Sequence, residues 1–144
     1  MKRLTASRPL FALLLLLLSV FACKLGASSP TSTFKAFQEA QRKKDVAGIK
    51  KTLSKGSLAM LEKAAKGQNK TLDESLKEGF DDPAFKAQNT PETRNEKVDG
   101  DTATLEVQDQ DSKKWETMYF VKEENDWKIA LDKTLEEMFK KMSS

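Results

Sequence analysis

The stretch from Trp115 to Leu131, WETMYFVKEENDWKIAL, constrains the fold more than any other part of the chain. It contains both tryptophans and the only tyrosine. On either side of the polar segment Glu123–Asp126 the residues follow a period of two, which is typical of two β-strands joined by a turn. From Met118 to Val121 both alternating sets are apolar, which favours a central strand covered on both faces. We therefore predict a sheet that other elements must cover.

Two further strands are predicted ahead of this stretch. Asp99-Gly100-Asp101 is typical of a tight hairpin turn, because glycine supplies the positive φ that such turns need. After the turn Ala103, Leu105 and Val107 alternate with polar residues, as in a strand with one buried face. A strand from Arg94 to Val98 would precede the turn. The pattern predicts an antiparallel meander of about four strands.

Four segments before the sheet have the apolar period of a helix. Ser32 or Thr33 can cap the first, the second covers residues 46–53, and Ser57 can cap the third. The fourth opens with Thr71-Leu72-Asp73-Glu74, a capping box in which the first and last side chains satisfy each other's backbone amides. The expected class is α+β, with N-terminal helices packed on the concave face of a curved antiparallel sheet.

A short helix is predicted after the sheet. Thr134-Leu135-Glu136-Glu137 has the form of a second capping box. Leu135, Met138, Phe139 and Met142 then fall on one helical face. We expect this helix to fold back on the sheet.

The N-terminus has the pattern of an export signal. Residues 1–9 are basic, and Leu10–Phe21 is an apolar run too short to span a ~30 Å hydrocarbon core comfortably. We predict a signal peptide over residues 1–22, a flexible tether over residues 23–32, and a single domain over residues 33–142. The run ends in Val20-Phe21-Ala22-Cys23, which resembles the lipobox of bacterial lipoproteins. An ordinary signal peptide with an incidental cysteine is the alternative.

The lipobox resemblance implies that Cys23 becomes the mature N-terminus and carries the lipid that binds the protein to the membrane. Phe21 departs from the residue that the lipobox prefers at its position. Lys24 follows the cysteine where an inner-membrane lipoprotein would have aspartate. The expected location is therefore the cell envelope, at the outer membrane or the cell surface if the cell has two membranes.

Charge and composition exclude several functional classes. Three of the 25 basic residues lie in the leader, which has no acidic residue, so the mature chain has 22 residues of each sign. This balance does not favour nucleic-acid binding. The chain has no histidine, the commonest general base and metal ligand, and its single cysteine cannot form an internal disulfide.

Four segments of the chain resemble the nuclear-transport-factor-2-like superfamily of cone-shaped α+β domains, and especially its small lumazine-binding-like bacterial lipoproteins of unknown function. These segments are Pro30–Phe37, KKDVAGIKKTLS (43–54), DGDTATLEV (99–107) and YFVKEENDWKIAL (119–131). The resemblance implies a conical cavity between the sheet and the first helices. Its candidate lining residues are Phe34, Phe37, Met60, Trp115, Tyr119 and Trp127.

The resemblance implies a cavity more strongly than it implies a reaction. Enzymes of this superfamily, the ketosteroid isomerases and scytalone dehydratases, rely on buried Asp, Tyr and often His. Here histidine is missing and Tyr119 lies in the predicted core strand. We therefore expect no catalytic residues, no metal and no cofactor.

Two functional hypotheses remain open. In the first, the domain is a non-catalytic module that holds a small apolar ligand or a partner segment in the cone. In the second, it is a structural or interaction lipoprotein whose cone is filled by its own side chains. An isomerase or dehydratase is a more distant alternative. Apart from the membrane, the expected partners are a small apolar ligand or an envelope protein, with the chain a monomer or a homodimer.

Overall fold

The computed structural model describes residues 28–81 and 90–143, and within them it confirms the α+β class. These residues form five helices and one four-stranded antiparallel sheet, with four of the described helices before the sheet and one after it. The elements are α1 Pro30–Arg42, α2 Val46–Thr52, α3 Lys55–Gly67, α4 Leu72–Gly79, β1 Thr93–Asp99, β2 Thr102–Gln108, β3 Trp115–Glu123, β4 Asp126–Ile129 and α5 Leu131–Met142.

The sheet is the predicted meander, with its strands in chain order. Gly100 has a φ of +58° in the β1–β2 turn, as the Asp-Gly-Asp motif predicts. Ala103 on β2 lies opposite Phe120 on β3, which in turn lies opposite Ile129 on β4. Directly paired residues share a face of the sheet, so these three side chains point to the same side. All three are buried, and they mark the face that the helices cover.

The core lies between this face and the first two helices. The largest fully buried side chains include Phe34 from α1 and Leu105, Phe120 and Ile129 from the sheet. Ile49 and Leu53 join them from α2 and its C-cap. Burial of large apolar side chains, at about 25 cal/mol per Å² removed from water, is the main force that holds helices to sheet.

The first helix begins earlier than predicted. Its N-cap is Ser29, which forms a capping box with Ser32, and Pro30 occupies the first turn. Thr31 donates from its backbone N–H to Oε2 of Glu96 at 2.9 Å, which fixes this turn against β1. Residues 28–32, which the sequence analysis assigned to the flexible tether, therefore belong to the folded domain.

The third helix also begins before its predicted cap. Ser54 is its N-cap and accepts a hydrogen bond from the backbone N–H of Ser57. Ser57, the predicted cap, lies inside the helix and is fully buried. The capping box of Thr71 and Glu74 at the start of α4 is present as predicted.

The C-terminal helix differs from the prediction in both its start and its packing. It begins at Leu131, and the Thr134 hydroxyl bonds backbone atoms of Ala130 and Tyr119 instead of capping the helix. Leu131 packs against the core, and α5 contacts β3 and α3. Its apolar stripe remains exposed, so the prediction that the helix folds back on the sheet is correct only for its first turns.

Candidate functional site

The six residues predicted to line one cavity are separated by the fold. Phe34 and Trp127 are buried members of the core, and Phe37 packs against it. Trp115 and Tyr119 alternate with the core-facing Phe120 along β3, and Tyr119 lies opposite Thr104, a half-buried residue of the other sheet face. The predicted pocket lining was therefore wrong for these two residues, because the β3 pleat sends them away from the helices.

Met60 does not complete the predicted pocket either. It lies half-buried on α3, outside the core cluster that contains Phe34 and Trp127. Between α1 and the sheet, the space predicted to be a cone is packed by Phe34, Leu105, Phe120 and Ile129. Of these four side chains, only Phe34 was among the predicted lining residues.

A cleft of about 640 Å³ lies on the outside of this core. Its walls come from α1, α2 and the beginning of β4, and Trp127 contributes to its lining. Small side chains on the helices leave the space open, namely Ala36 and Ala40 on α1 and Gly48 on α2. The cleft is the candidate functional site, since concave surfaces are where proteins most often bind their ligands.

Two hydrogen bonds set the shape of the cleft. The Thr33 hydroxyl donates to the backbone oxygen of Trp127 at 3.0 Å. The backbone N–H of Trp127 donates to Oγ of Ser28 at 2.9 Å. Together they hold the beginning of α1 against the beginning of β4, so the N-terminal end of the folded domain forms one end of the cleft.

Charges of both signs surround the cleft. Lys43, Lys51 and Lys128 supply three cations. Glu39, Asp45 and Asp126 supply three carboxylates. The surface therefore presents positive and negative groups in equal number and does not select for a strong anion or cation.

Several of these charged groups already have partners in the protein. Asp45 accepts from the backbone N–H of Gly48 at 3.0 Å and caps α2. Nζ of Lys128 donates to the backbone oxygen of Lys51 at 2.8 Å. Lys43 and Arg42 beside Glu39 hold the pKa of its carboxyl below the usual range of a glutamate. These contacts stabilise the cleft walls.

The chemistry of the cleft suits docking more than reaction. It offers the Trp127 side chain, hydroxyls and exposed mixed charges in a cleft open to solvent. A peptide segment with both apolar and charged side chains could satisfy all three. Of the cleft residues, only Trp127 was among the sequence candidates. The small residues at positions 36, 40 and 48 were the feature of the sequence from which a close approach of α1 and α2 could have been predicted.

The opposite face of the sheet carries a second polar cluster. The Arg94 guanidinium lies 3.9 Å from the centre of the Trp115 ring and donates from Nε to Glu106 at 2.6 Å. Asn95 donates to the same carboxylate oxygen at 2.9 Å. The Arg94 and Asn95 side chains lower the pKa of Glu106. The cluster fixes the irregular register of β1 on β2, where the pairing shifts between Arg94 and Lys97.

The predicted lipidation site, Cys23, lies outside the described residues. Across residues 28–81 and 90–143, no helix is both long and apolar enough to cross a membrane. Nor does that part of the chain bring three or more His, Cys, Asp or Glu side chains together in a way that could hold a metal ion. Comparisons with protein-family models, curated proteins and solved structures find no match for the chain.

Proposed function

We propose that this protein is a lipid-anchored component of a bacterial cell envelope whose domain docks a partner segment in the cleft between α1, α2 and β4. The domain is non-catalytic and uses no cofactor. Its location is the outer membrane or the cell surface if the cell has two membranes. The proposal combines the signal pattern that ends at Cys23 with the position of the cleft in the fold.

The observation that carries the proposal is the position of Ser28, which is close to Cys23 in the sequence and lies in the cleft. Ser28 lines the cleft and is bonded to the backbone of Trp127. Five residue steps separate Ser28 from Cys23, and a chain of that length spans at most about 18 Å when fully extended. A lipid on Cys23 would therefore hold the Ser28 end of the cleft at the membrane surface, where it could meet other envelope proteins.

The packed core favours docking over storage of an apolar ligand. Phe34, Leu105, Phe120 and Ile129 occupy the region where the first functional hypothesis placed a ligand. The open cleft instead presents charged side chains of both signs beside Trp127. This supports the second hypothesis, an interaction lipoprotein whose cone is filled, in a domain that we propose to be of the cone-shaped superfamily.

Site-specific photocrosslinking in cells tests the proposal. A photoreactive amino acid replaces Ala36, which is exposed and lines the cleft, or Ala59, which is exposed on α3 away from it. We expect a crosslinked envelope protein from position 36 and none from position 59. Combining the position 36 probe with Cys23→Ser should abolish the adduct, because the domain would leave the membrane surface.

Two results would contradict the proposal. The first is an equal yield of adducts from positions 36 and 59, or none from either. The second is an adduct that persists unchanged with Cys23→Ser, which would show that anchoring is irrelevant to docking. Native mass spectrometry of the purified protein provides a further check, since a tightly held small apolar molecule would favour the ligand-binding hypothesis.

A further inference from the structure

The C-terminal helix presents an apolar surface that the rest of the described chain leaves uncovered. Leu135 is 40% exposed, Met138 44%, Phe139 64% and Met142 77%. They follow one another at helical spacing on one side of α5. Four large apolar side chains in a continuous exposed row are characteristic of an interaction surface.

The attachment of α5 to the domain explains why this row is left exposed. The helix is fixed at its beginning, where Leu131 packs on the core and its N–H donates to the buried Ser57 hydroxyl at 2.8 Å. One turn later, the Thr134 hydroxyl accepts from the backbone N–H of Tyr119 at 3.1 Å. From Leu135 onward no side chain of α5 is buried.

In the exposed part of α5, the pattern of charges is complementary to the pattern read in the reverse direction. Residues 135–142 read LEEMFKKM, and their midpoint lies between Met138 and Phe139. Reading backwards from this midpoint preserves every apolar position and exchanges the acidic pair 136–137 with the basic pair 140–141. Leu135 thus corresponds to Met142, and Met138 to Phe139.

This symmetry is what an antiparallel pair of identical helices requires. A two-fold axis through the midpoint brings the apolar row of one copy against the same row of the other. It also places the acidic pair of each copy level with the basic pair of its partner. A parallel arrangement would instead place like charges at the same level, which is unfavourable.

We propose that α5 is a homodimerisation element that packs antiparallel against α5 of a second copy, with the two-fold axis between Met138 and Phe139. The proposal does not depend on a lipid at Cys23. It goes beyond the docking function, because the surface lies on α5 and shares no residue with the cleft.

The charge pattern favours a second copy over the lipid bilayer as the occupant. Helices that lie in a membrane surface are rich in cations on their polar face. In α5 the numbers of acidic and basic residues are equal. The acidic residues are Asp132, Glu136 and Glu137, and the basic residues are Lys133, Lys140 and Lys141. Nζ of Lys140 lies 3.0 Å from Glu136 and 2.7 Å from Glu137, so the acidic pair also neutralises part of the basic pair within one helix.

Disulfide crosslinking of the full chain tests both the pairing and its register. The wild-type chain controls for the native Cys23. Met138→Cys, next to the proposed axis, should give a crosslinked dimer under mild oxidation, whereas Lys133→Cys on the opposite side of the helix should not. Leu135→Cys should fail to crosslink to itself, because the two copies of that position would be about 10 Å apart along the helix axes. A mixture of Leu135→Cys and Met142→Cys chains should crosslink.

A charge-exchange experiment supplies the second test, read out with the Met138→Cys crosslink. One chain carries Glu136→Lys and Glu137→Lys, and the other carries Lys140→Glu and Lys141→Glu. For each chain alone, the yield of crosslinked dimer should be roughly tenfold or more lower than without the charge substitutions, because like charges then face one another. The two chains mixed should recover the original yield. Circular dichroism confirms that each variant remains folded.

Four results would overturn the proposal. Absence of any Met138→Cys dimer would exclude the pairing. Self-crosslinking of Leu135→Cys as efficient as that of Met138→Cys would exclude the antiparallel register. If the charge variants fail to recover on mixing, or if loss of the apolar row releases the chain from membranes while no dimer is detected, α5 contacts another surface such as the bilayer.

Discussion

At the scale of single residues, Ser57 joins three elements of the fold. Its side chain is fully buried in the first turn of α3. Its hydroxyl oxygen accepts from the N–H of Leu131 and lies 3.0 Å from the backbone oxygen of Ile129 and 3.1 Å from Oδ1 of Asp132. One hydroxyl thereby joins α3, the end of β4 and the beginning of α5, which has no side-chain cap of its own.

Replacing this hydroxyl should destabilise the protein measurably. Ser57→Ala leaves the buried N–H of Leu131 without its acceptor, and an unsatisfied buried donor costs about 1–3 kcal/mol. Urea denaturation should show this loss. Ser143→Ala, which removes an exposed hydroxyl at the other end of α5, should change stability by no more than about 0.5 kcal/mol. Equal stability of the two variants would show that Ser57 does not organise this junction.

At the scale of elements, the cleft depends on how closely α1 approaches α2. A Cβ added to Gly48 on α2 would lie 3.0 Å from Cβ of Ala40 on α1 and 2.5 Å from Oδ2 of Asp45. The absence of a side chain at position 48 therefore permits both the contact between the helices and the cap of α2. Gly79, at the end of α4, has open space around the same position.

Alanine substitution of these two glycines should affect the stability of the protein differently. Gly48→Ala should lower the free energy of unfolding by about 1–3 kcal/mol, because the added methyl overpacks the α1–α2 contact. Gly79→Ala should be neutral or stabilise by up to about 1 kcal/mol, since alanine restricts the unfolded chain more than glycine does. Thermal or urea unfolding of both variants measures the difference. A neutral Gly48→Ala would mean that the two helices have room to separate.

The elements that the sequence predicted well are those with local signals. The β1–β2 turn at Gly100 and the capping box of Thr71 and Glu74 each depend on neighbouring residues and are present as predicted. The starts of α1 and α3 are different, because several hydroxyl residues compete at each one, and α5 begins without a side-chain cap. Contacts from distant elements influence where these helices begin, such as Glu96 on the first turn of α1 and Tyr119 on Thr134.

At the scale of the whole molecule, the candidate site could not be predicted because its parts are far apart in the chain. Ser28 and Trp127 are bonded across 99 positions and form one end of the cleft. The sequence identified Trp127 as an aromatic residue of interest, but neither spacing nor periodicity indicated its partner. The same pairing places Ser28 in the folded domain, five residue steps from Cys23 in the sequence, whereas the predicted tether had ten residues.

Because Ser28 is so close to Cys23 in the sequence, a lipid on Cys23 would determine where the cleft lies. If Cys23 carries the lipid, the Ser28 end of the cleft lies within about 18 Å of the membrane surface. Burial of acyl chains contributes roughly 0.8 kcal/mol per CH₂, so two or more chains would hold the domain there stably. The proposed docking function requires this position, whereas the pairing of α5 does not.

The intact mass of the protein extracted from membranes tests whether Cys23 carries a lipid. We predict a chain that begins at Cys23, without the first 22 residues, and that carries added mass equal to a diacylglyceryl group with or without a further acyl chain. Cys23→Ser should abolish the added mass and release the protein from the membrane fraction. A mature chain that begins elsewhere, or an unmodified Cys23 in membrane-extracted protein, would show that the proposed lipid anchor is wrong.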